Sequence, residues 1–170
     1  AAALRELAEM TGIHAVTTLM ARGALPDSHP LCLGMPGMHG NYTAITAMQR
    51  SDLLITLGAR FDDRITGRLD GFAPDAKIIH VDIDPAEMGK VRRPDVPIIG
   101  DVRLVTEELI TALRPKLDEQ PNRDEWNAHI RQWQQDFPLQ YAPHQEGDPL
   151  KPQSVIEAIR RSVPDDTILA

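Results

Sequence analysis

Over the first ten positions apolar residues recur at helical spacing: Leu4, Leu7, Ala8 and Met10 form one stripe, and Gly12 stands where a helix stops. A β-branched run at 14–19, HAVTTL, then predicts a strand, and Pro26-Asp27-Ser28 marks a loop. Asn41 is placed to cap a helix over Tyr42–Arg50, which leads into a predicted strand at Asp52–Leu57. Lys77–Ile83 predicts another strand and Pro97–Ile99 a short one. Asp101 occupies an N-cap position ahead of Leu104, Val105, Leu109, Ile110 and Leu113 on one helical face, with Pro115 as the terminator. Strand and helix thus alternate, which predicts an α/β fold with a doubly wound, mostly parallel sheet.

The pattern changes at Pro115. Lys116–Pro149 is polar and punctuated by prolines, with one amphipathic helix around Asp124–Asp136 that puts Trp126, Ile130 and Trp133 on neighbouring turns. Such a segment reads as a linker packed on another surface. Pro152–Arg161 reads as a fresh helix, and Asp166–Ala170 as the start of an apolar strand. The expected division is an α/β domain over 1–114, a helical linker over 115–150 and the opening of a second, truncated α/β domain over 151–170. No internal repeat or low-complexity tract interrupts this order.

Composition narrows the function. The 170 residues carry a net charge of −7, which argues against nonspecific binding to nucleic acid or an anionic membrane. Lys90, Arg92 and Arg93 form too short a cluster to overturn that, and a solvated loop accounts for them. The single cysteine, Cys32, allows no intrachain disulfide and fits a reducing cytoplasm. No stretch approaches the roughly 20 apolar residues of a membrane span, and no secretory signal pattern is visible. The Asn41-Tyr42-Thr43 sequon carries no meaning without a secretory route.

The chemistry concentrates in two loop signatures, LGMPGMHG at 33–40 and GARFDDR at 58–64. Gly34, Gly37 and Gly40 let the first loop adopt positive φ and approach a ligand. In the second, Arg60 and Arg64 can fork onto a phosphate or carboxylate, or can simply pair with Asp62 and Asp63 at the surface. Asp82, at the tip of a parallel strand in HVDID, suits a ribose hydroxyl, whereas Asp84 before Pro85 suits a helix cap. Asp101 has the same double reading, because a helix N-terminus also attracts anions. His39 has no second His or Cys at ligand spacing, so no metal site is expected. Met35 and Met38 read first as packing, although methionine suits flat aromatic ligands. G-x-S-x-G, G-x-x-x-x-G-K-[ST] and strict G-x-G-x-x-G motifs are absent from the sequence.

LGMPGMHG, SDLLITLGARFDDRITGRL, IIHVDIDPAEMGK and IIGDV, in that order, resemble the catalytic large subunit of acetohydroxyacid (acetolactate) synthase. The similarity runs from TTLMARGALP through the helix after Asp101 and continues more weakly to Ala170. It implies a Rossmann-like central domain that holds FAD in an extended form. By that resemblance Thr18, Leu19, Gly37, Met38 and His39 line the flavin and ribitol. Gly58, Ala59, Arg60, Asp62, Arg64 and Ile65 continue along ribitol and diphosphate, and Asp82, Ile83, Asp101 and Val102 surround the adenosine end. Arg64 is placed near the carboxylate of a second 2-ketoacid substrate, and Met38, Asp63 and Arg64 beside a substrate channel where herbicides bind.

The family joins pyruvate to a second 2-ketoacid with loss of carbon dioxide, on the path to branched-chain amino acids, using thiamine diphosphate and magnesium. Its homodimer and small regulatory subunit are the partners implied. The glutamate that activates thiamine and the metal–diphosphate motif lie in domains this sequence does not contain, so activity of the isolated chain is not expected. The first strand of the central sheet is likewise expected to be missing, leaving an exposed or borrowed edge. Two other readings stand beside this one. They are another thiamine-dependent carboligase or decarboxylase, and a non-catalytic nucleotide-binding or interaction module using Trp126 and Trp133 as an exposed patch.

Overall fold

Three short apolar runs find each other in chain order and set the architecture. In the computed structural model, which describes residues 1–119, 121–143, 145, 147–164 and 166–168, β1 (Leu53–Leu57), β2 (Lys77–Asp82) and β3 (Val96–Ile99) form an all-parallel sheet ordered β1-β2-β3. Leu53 stands opposite Lys77 and Leu57 opposite Val81, while Ile79 faces Val96 and Asp82 faces Ile99. β2 is the central strand, and its Ile78, His80 and Val81 are buried. The Lys77 amide donates to Asp52 O at 2.8 Å and the Gly58 amide to Val81 O at 2.7 Å. Even-numbered positions of β1 therefore turn their backbone groups toward β2. Leu53, Ile55 and Leu57 turn theirs to an edge that has no strand partner among the described residues.

The helices form where caps and stripes predict them. α1 (Ala2–Thr11) stops at Gly12, whose φ of 68° closes the helix with an amide bond to Ala8 O at 2.7 Å. α2 (Tyr42–Arg50) is capped by Asn41, whose Oδ1 accepts from the Ala44 amide at 3.3 Å. α3 (Asp63–Thr66) is a single turn after β1. α4 (Val102–Leu113) starts at Asp101, whose Oδ1 accepts from the Arg103 and Leu104 amides at 2.9 and 3.1 Å. Pro115 ends its α geometry, but the chain continues as a 3-10 stretch, Arg114–Glu119. α1 packs on α4, and an Arg114–Glu6 ion pair of 2.6 Å joins the two ends.

α5 (Asp124–Asp136) packs on α2. Leu33, Ala44, Ala47 and Ile130 are buried together there, with Val16, Trp126 and Trp133 against them. The two indoles meet edge to face at 5.8 Å, and Tyr42 stacks on Phe137 at 3.7 Å. The tryptophans are thus half-buried packing residues of this core, which removes the exposed patch on which a docking-module reading rested. A second core gathers Phe61, Phe72, Ala73, Ala76 and Ile78, with Met48 and Leu54 packed on it.

The expected strand at 14–19 is not a strand. It makes one parallel bridge, Ala15 to Cys32, extended by a Thr17 amide bond to Gly34 O at 2.9 Å, and then turns into a 3-10 stretch at Leu19–Ala21. Its partner segment bends at Gly34 (φ 90°) and Pro36, so β propensity has no ladder to extend along.

Residues divide into two compact units, Ala1–Phe137 and Pro138–Ala170. The second contains α6 (Pro152–Ser162), with Tyr141 Oη donating to Glu157 Oε2 at 2.9 Å and Lys151 Nζ to Ala142 O at 2.7 Å. Of the strand expected at Asp166–Ala170, Asp166–Ile168 are turn and coil, and 169–170 lie outside the described residues.

Ala73 is the one described non-glycine residue with positive φ, 40°, a conformation that costs an L-residue about 1–2 kcal/mol. Three hydrogen bonds hold it there. Gln49 Oε1 accepts its amide at 2.8 Å, while Arg92 Nη2 and the Ala76 amide donate to its carbonyl at 3.3 and 3.2 Å. Gln49→Ala strands a buried amide and is expected to lower stability of the first unit by about 1–3 kcal/mol. Urea unfolding followed by tryptophan fluorescence, which reports only on that unit, measures this.

His14 adds a pH dependence. Its Nδ1 is buried without a hydrogen-bond partner among the described residues, and burial pushes the imidazole below its ordinary 6.5. A base with a depressed folded-state pKa favours folding while neutral, so its contribution is full above about 6.5 and is lost as pH falls through the folded value. The urea midpoint of the parent is expected to fall more steeply than that of His14→Gln between about pH 7 and about pH 5.

Candidate functional site

Parallel pairing delivers three strand ends to one side: Gly58 after β1, Ile83 after β2 and Gly100 after β3. They are tied across the sheet. The Gly58 amide bonds Val81 O, and the Gly100 amide bonds Asp82 O at 2.9 Å. Gly58 has φ 63°, a conformation that disfavours a side chain, and a Cβ there would stand 3.0 Å from Val102 Cγ2, a tight contact with α4. Gly58, Asp82, Asp101 and Val102 are thereby brought together, as the sequence motifs suggest. Loops beyond strand C-termini are where open α/β sheets hold ligands.

Asp82 is buried at the tip of β2. Its Oδ1 accepts from the Asp84 amide at 2.9 Å, and its other oxygen has no hydrogen-bond partner among the described residues. Ile83 beside it is 70% exposed. Asp84 is a cap, its Oδ1 accepting from the Ala86 amide at 2.9 Å with Pro85 first in the 3-10 turn. Asp101 is engaged in capping α4.

The loop after β1 carries more charge than it uses internally. Arg60 is exposed and makes no ion pair or hydrogen bond among the described residues, so the Arg60–Asp62 pairing allowed by the sequence is not formed. Asp62 instead caps α3, its Oδ1 accepting from the Arg64 amide at 3.1 Å. Arg64 Nε lies 3.8 Å from Asp63 Oδ1, a loose pair at the surface. Ala59 and Ile65 are half-buried.

The glycine loop docks onto α3 through backbone. The Met38 amide donates to Arg64 O at 2.9 Å, and a Cβ on Gly37 would come within 2.6 Å of the same oxygen. Asn41 pins the other end: its amide donates to Met35 O at 3.0 Å and its Nδ2 to Leu33 O at 2.7 Å. Gly37, Met38, Arg64 and Ile65 therefore form a second cluster, joined to the first by loop 59–62. Met38 is 62% exposed and His39 is exposed. Thr18, half-buried, and Leu19, 71% exposed, follow Thr17, which is bonded to the start of this loop at Gly34.

An unpaired guanidinium, a strand-tip carboxylate with one oxygen unfilled and uncovered Leu19, Met38 and Ile83 side chains make an unusual surface. A guanidinium without a partner can fork onto an anion, and a strand-tip carboxylate can accept from hydroxyls. Sequence reasoning passed over Phe61 and Asn41's second bond. The signal for Phe61 was there: one aromatic residue inside a run of four charges, RFDDR. Among the described residues no group of three or more His, Cys, Asp or Glu is arranged to hold a metal ion, and no helix is long and apolar enough to cross a membrane.

Comparison with known proteins agrees with this architecture. Residues 1–109 match the family model for the thiamine pyrophosphate enzyme central domain. The chain is 57% identical over 168 residues to an acetolactate synthase of Mycobacterium avium, covering 97% of this chain and 27% of that protein. It is 55% identical over 166 residues to the acetolactate synthase of Mycobacterium bovis, with the same coverage. With acetolactate synthase isozyme 1 large subunit of Escherichia coli it shares 45% over 168 residues, 99% of this chain and 29% of that protein. It spans about a quarter of the length of these curated relatives. With an all-parallel sheet and a family model matched over most of its length, the chain belongs to the thiamine pyrophosphate enzymes and carries their central domain.

Proposed function

We propose that this chain is the flavin-holding central part of an acetolactate synthase large subunit, a protein that condenses pyruvate with a second 2-ketoacid, releasing carbon dioxide. The observation that carries the reading is the convergence at the strand ends of an unpaired Arg60, the half-satisfied Asp82 and the Gly37–Arg64 contact. Identity of 55–57% with proteins named acetolactate synthase supports it.

In this reading FAD is a structural group in the central domain, and thiamine diphosphate with magnesium, held by the rest of the protein, supplies the electron sink for the ketoacid chemistry. Arg60 neutralises the flavin diphosphate, and the Asp82 oxygen without a partner accepts from ribose hydroxyls. Met38, Leu19 and Ile83 cover apolar ring surface that would otherwise meet water. The glycine loop sets Met38 and His39 against Arg64, and Ala59, Asp62 and Ile65 form the floor between the clusters. Arg64, held only loosely by Asp63, has its guanidinium available for the carboxylate of the second ketoacid, with Met38 and Asp63 beside the same channel.

The domain division that goes with it is a central domain over 1–114, a linker over 115–150 and the start of a thiamine diphosphate-binding domain from 151. Homodimer formation and a small regulatory subunit are the assembly this reading entails, in the cytoplasm.

Titration calorimetry of the 170-residue chain with FAD tests the proposal. Saturable one-to-one binding is expected, weakened about 10- to 100-fold in Arg60→Ala, the worth of about 1.5–3 kcal/mol for hydrogen bonds to a charged group. Absence of binding by the parent chain, or unchanged affinity in the variant, would overturn the assignment of this site.

A further inference from the structure

The loop from Gly58 to Gly67 is exposed at Gly58, Arg60, Asp63, Arg64 and Gly67, and both glycines hold positive φ, 63° and 58°. Their amides are held, Gly58 to Val81 O at 2.7 Å and Gly67 to Asp63 O at 3.0 Å. Between them, residues 59–61 make no backbone hydrogen bond among the described residues. Nothing in the main chain therefore holds Arg60 in place.

A side chain does. Phe61 is only 6% exposed, flanked by an exposed arginine and a half-buried aspartate. Its ring meets His80 edge to face at 5.1 Å and 75°, and Phe72 at 6.0 Å and 66°. Ala73, Ala76 and Ile78 complete the pocket. His80 is the unexpected member. It is 1% exposed on the central strand, and neither ring nitrogen has a hydrogen-bond partner among the described residues. Unpartnered buried polar atoms are costly, so hydrogen bonding is not what the imidazole contributes at this place. What it offers is a flat ring, two residues before Asp82 on the same face of β2, against which the Phe61 ring can stand.

We infer that Phe61 is a positioning residue: seated on His80 and Phe72, it fixes the strand-end loop so that Arg60 and Arg64 stand at set distances from Asp82. The identity of the ligand rests on the flavin reading above. The anchoring is a property of this chain alone. Phe61 touches no ligand in this account and acts through the two arginines on either side of it.

Phe61→Leu keeps an apolar filler and removes the ring contacts. Ile130→Val trims the other core of the first unit, which does not contain Phe61, and serves as the control for stability. His80→Leu removes the flat partner while deleting the unpartnered nitrogens, so it tests the contact from the other side should Phe61→Leu fail to fold. Each variant is read twice, by amide hydrogen exchange over residues 59–66 and by FAD titration.

Phe61→Leu and His80→Leu are expected to speed exchange in this loop selectively and to weaken FAD binding on the order of tenfold, with Ile130→Val close to the parent in both. Parent and variants binding FAD equally, with unchanged loop exchange, would overturn the anchoring. Failure of the parent chain to bind FAD would overturn the flavin reading instead. Exchange in the loop would then decide the anchoring by itself: selective acceleration supports it, and none refutes it.

Discussion

Everything at the candidate site depends on three strands running the same way. Parallel pairing forces each crossover to return to the starting edge, so Gly58, Ile83 and Gly100 emerge side by side. Reversal of one strand would send its loop to the far side of the sheet and separate Asp82 from Val102. The amide bonds from Gly58 to Val81 and from Gly100 to Asp82 carry that alignment one residue beyond the ladder. Ligand-facing groups thus sit on the last rigid atoms of the sheet.

Rigidity then decreases outward in steps. β2 is the most enclosed element, and β3 is largely exposed. The 33–40 loop borrows order from α3 by backbone contact, and α3 borrows it from Asp62, whose side chain and carbonyl both accept helix amides. A chain of dependencies of this kind concentrates conformational freedom where a ligand has to enter. Ala73 is the counterweight, a strained residue whose three hydrogen bonds lock the far side of the same core.

The parts legible in the sequence were those with local causes. Asn41, Asp84 and Asp101 read as caps because a short acceptor ahead of a helical run has that use, and each accepts an amide in the structure. The α5 bounds Asp124–Asp136 follow from the spacing of Trp126, Ile130 and Trp133. Non-local causes were not legible. HAVTTL has β-branched residues at three consecutive positions, but a strand also needs a partner, and Gly34 with Pro36 turns that partner away. The docking of Met38 onto Arg64 O is a backbone contact whose one trace in the sequence is Gly37. Arg60 gave two readings, an anion site favoured by its strand-end place and a surface pair with Asp62, and the pair is not formed because Asp62 caps α3. Likewise, nothing in the sequence around Ala73 announces a positive φ, because Gln49 and Arg92 impose it from other elements.

One consequence reaches past ligand binding. The β1 edge presents the odd-numbered backbone groups of Leu53–Leu57, and the segment reads LLITL: apolar but for one threonine, uncharged, free of proline and glycine. That composition is what drives identical chains to stack in cross-β arrays when it lies uncovered. What lies along these five residues of one strand therefore bears on whether identical chains associate, alongside the repulsion of a net charge of −7.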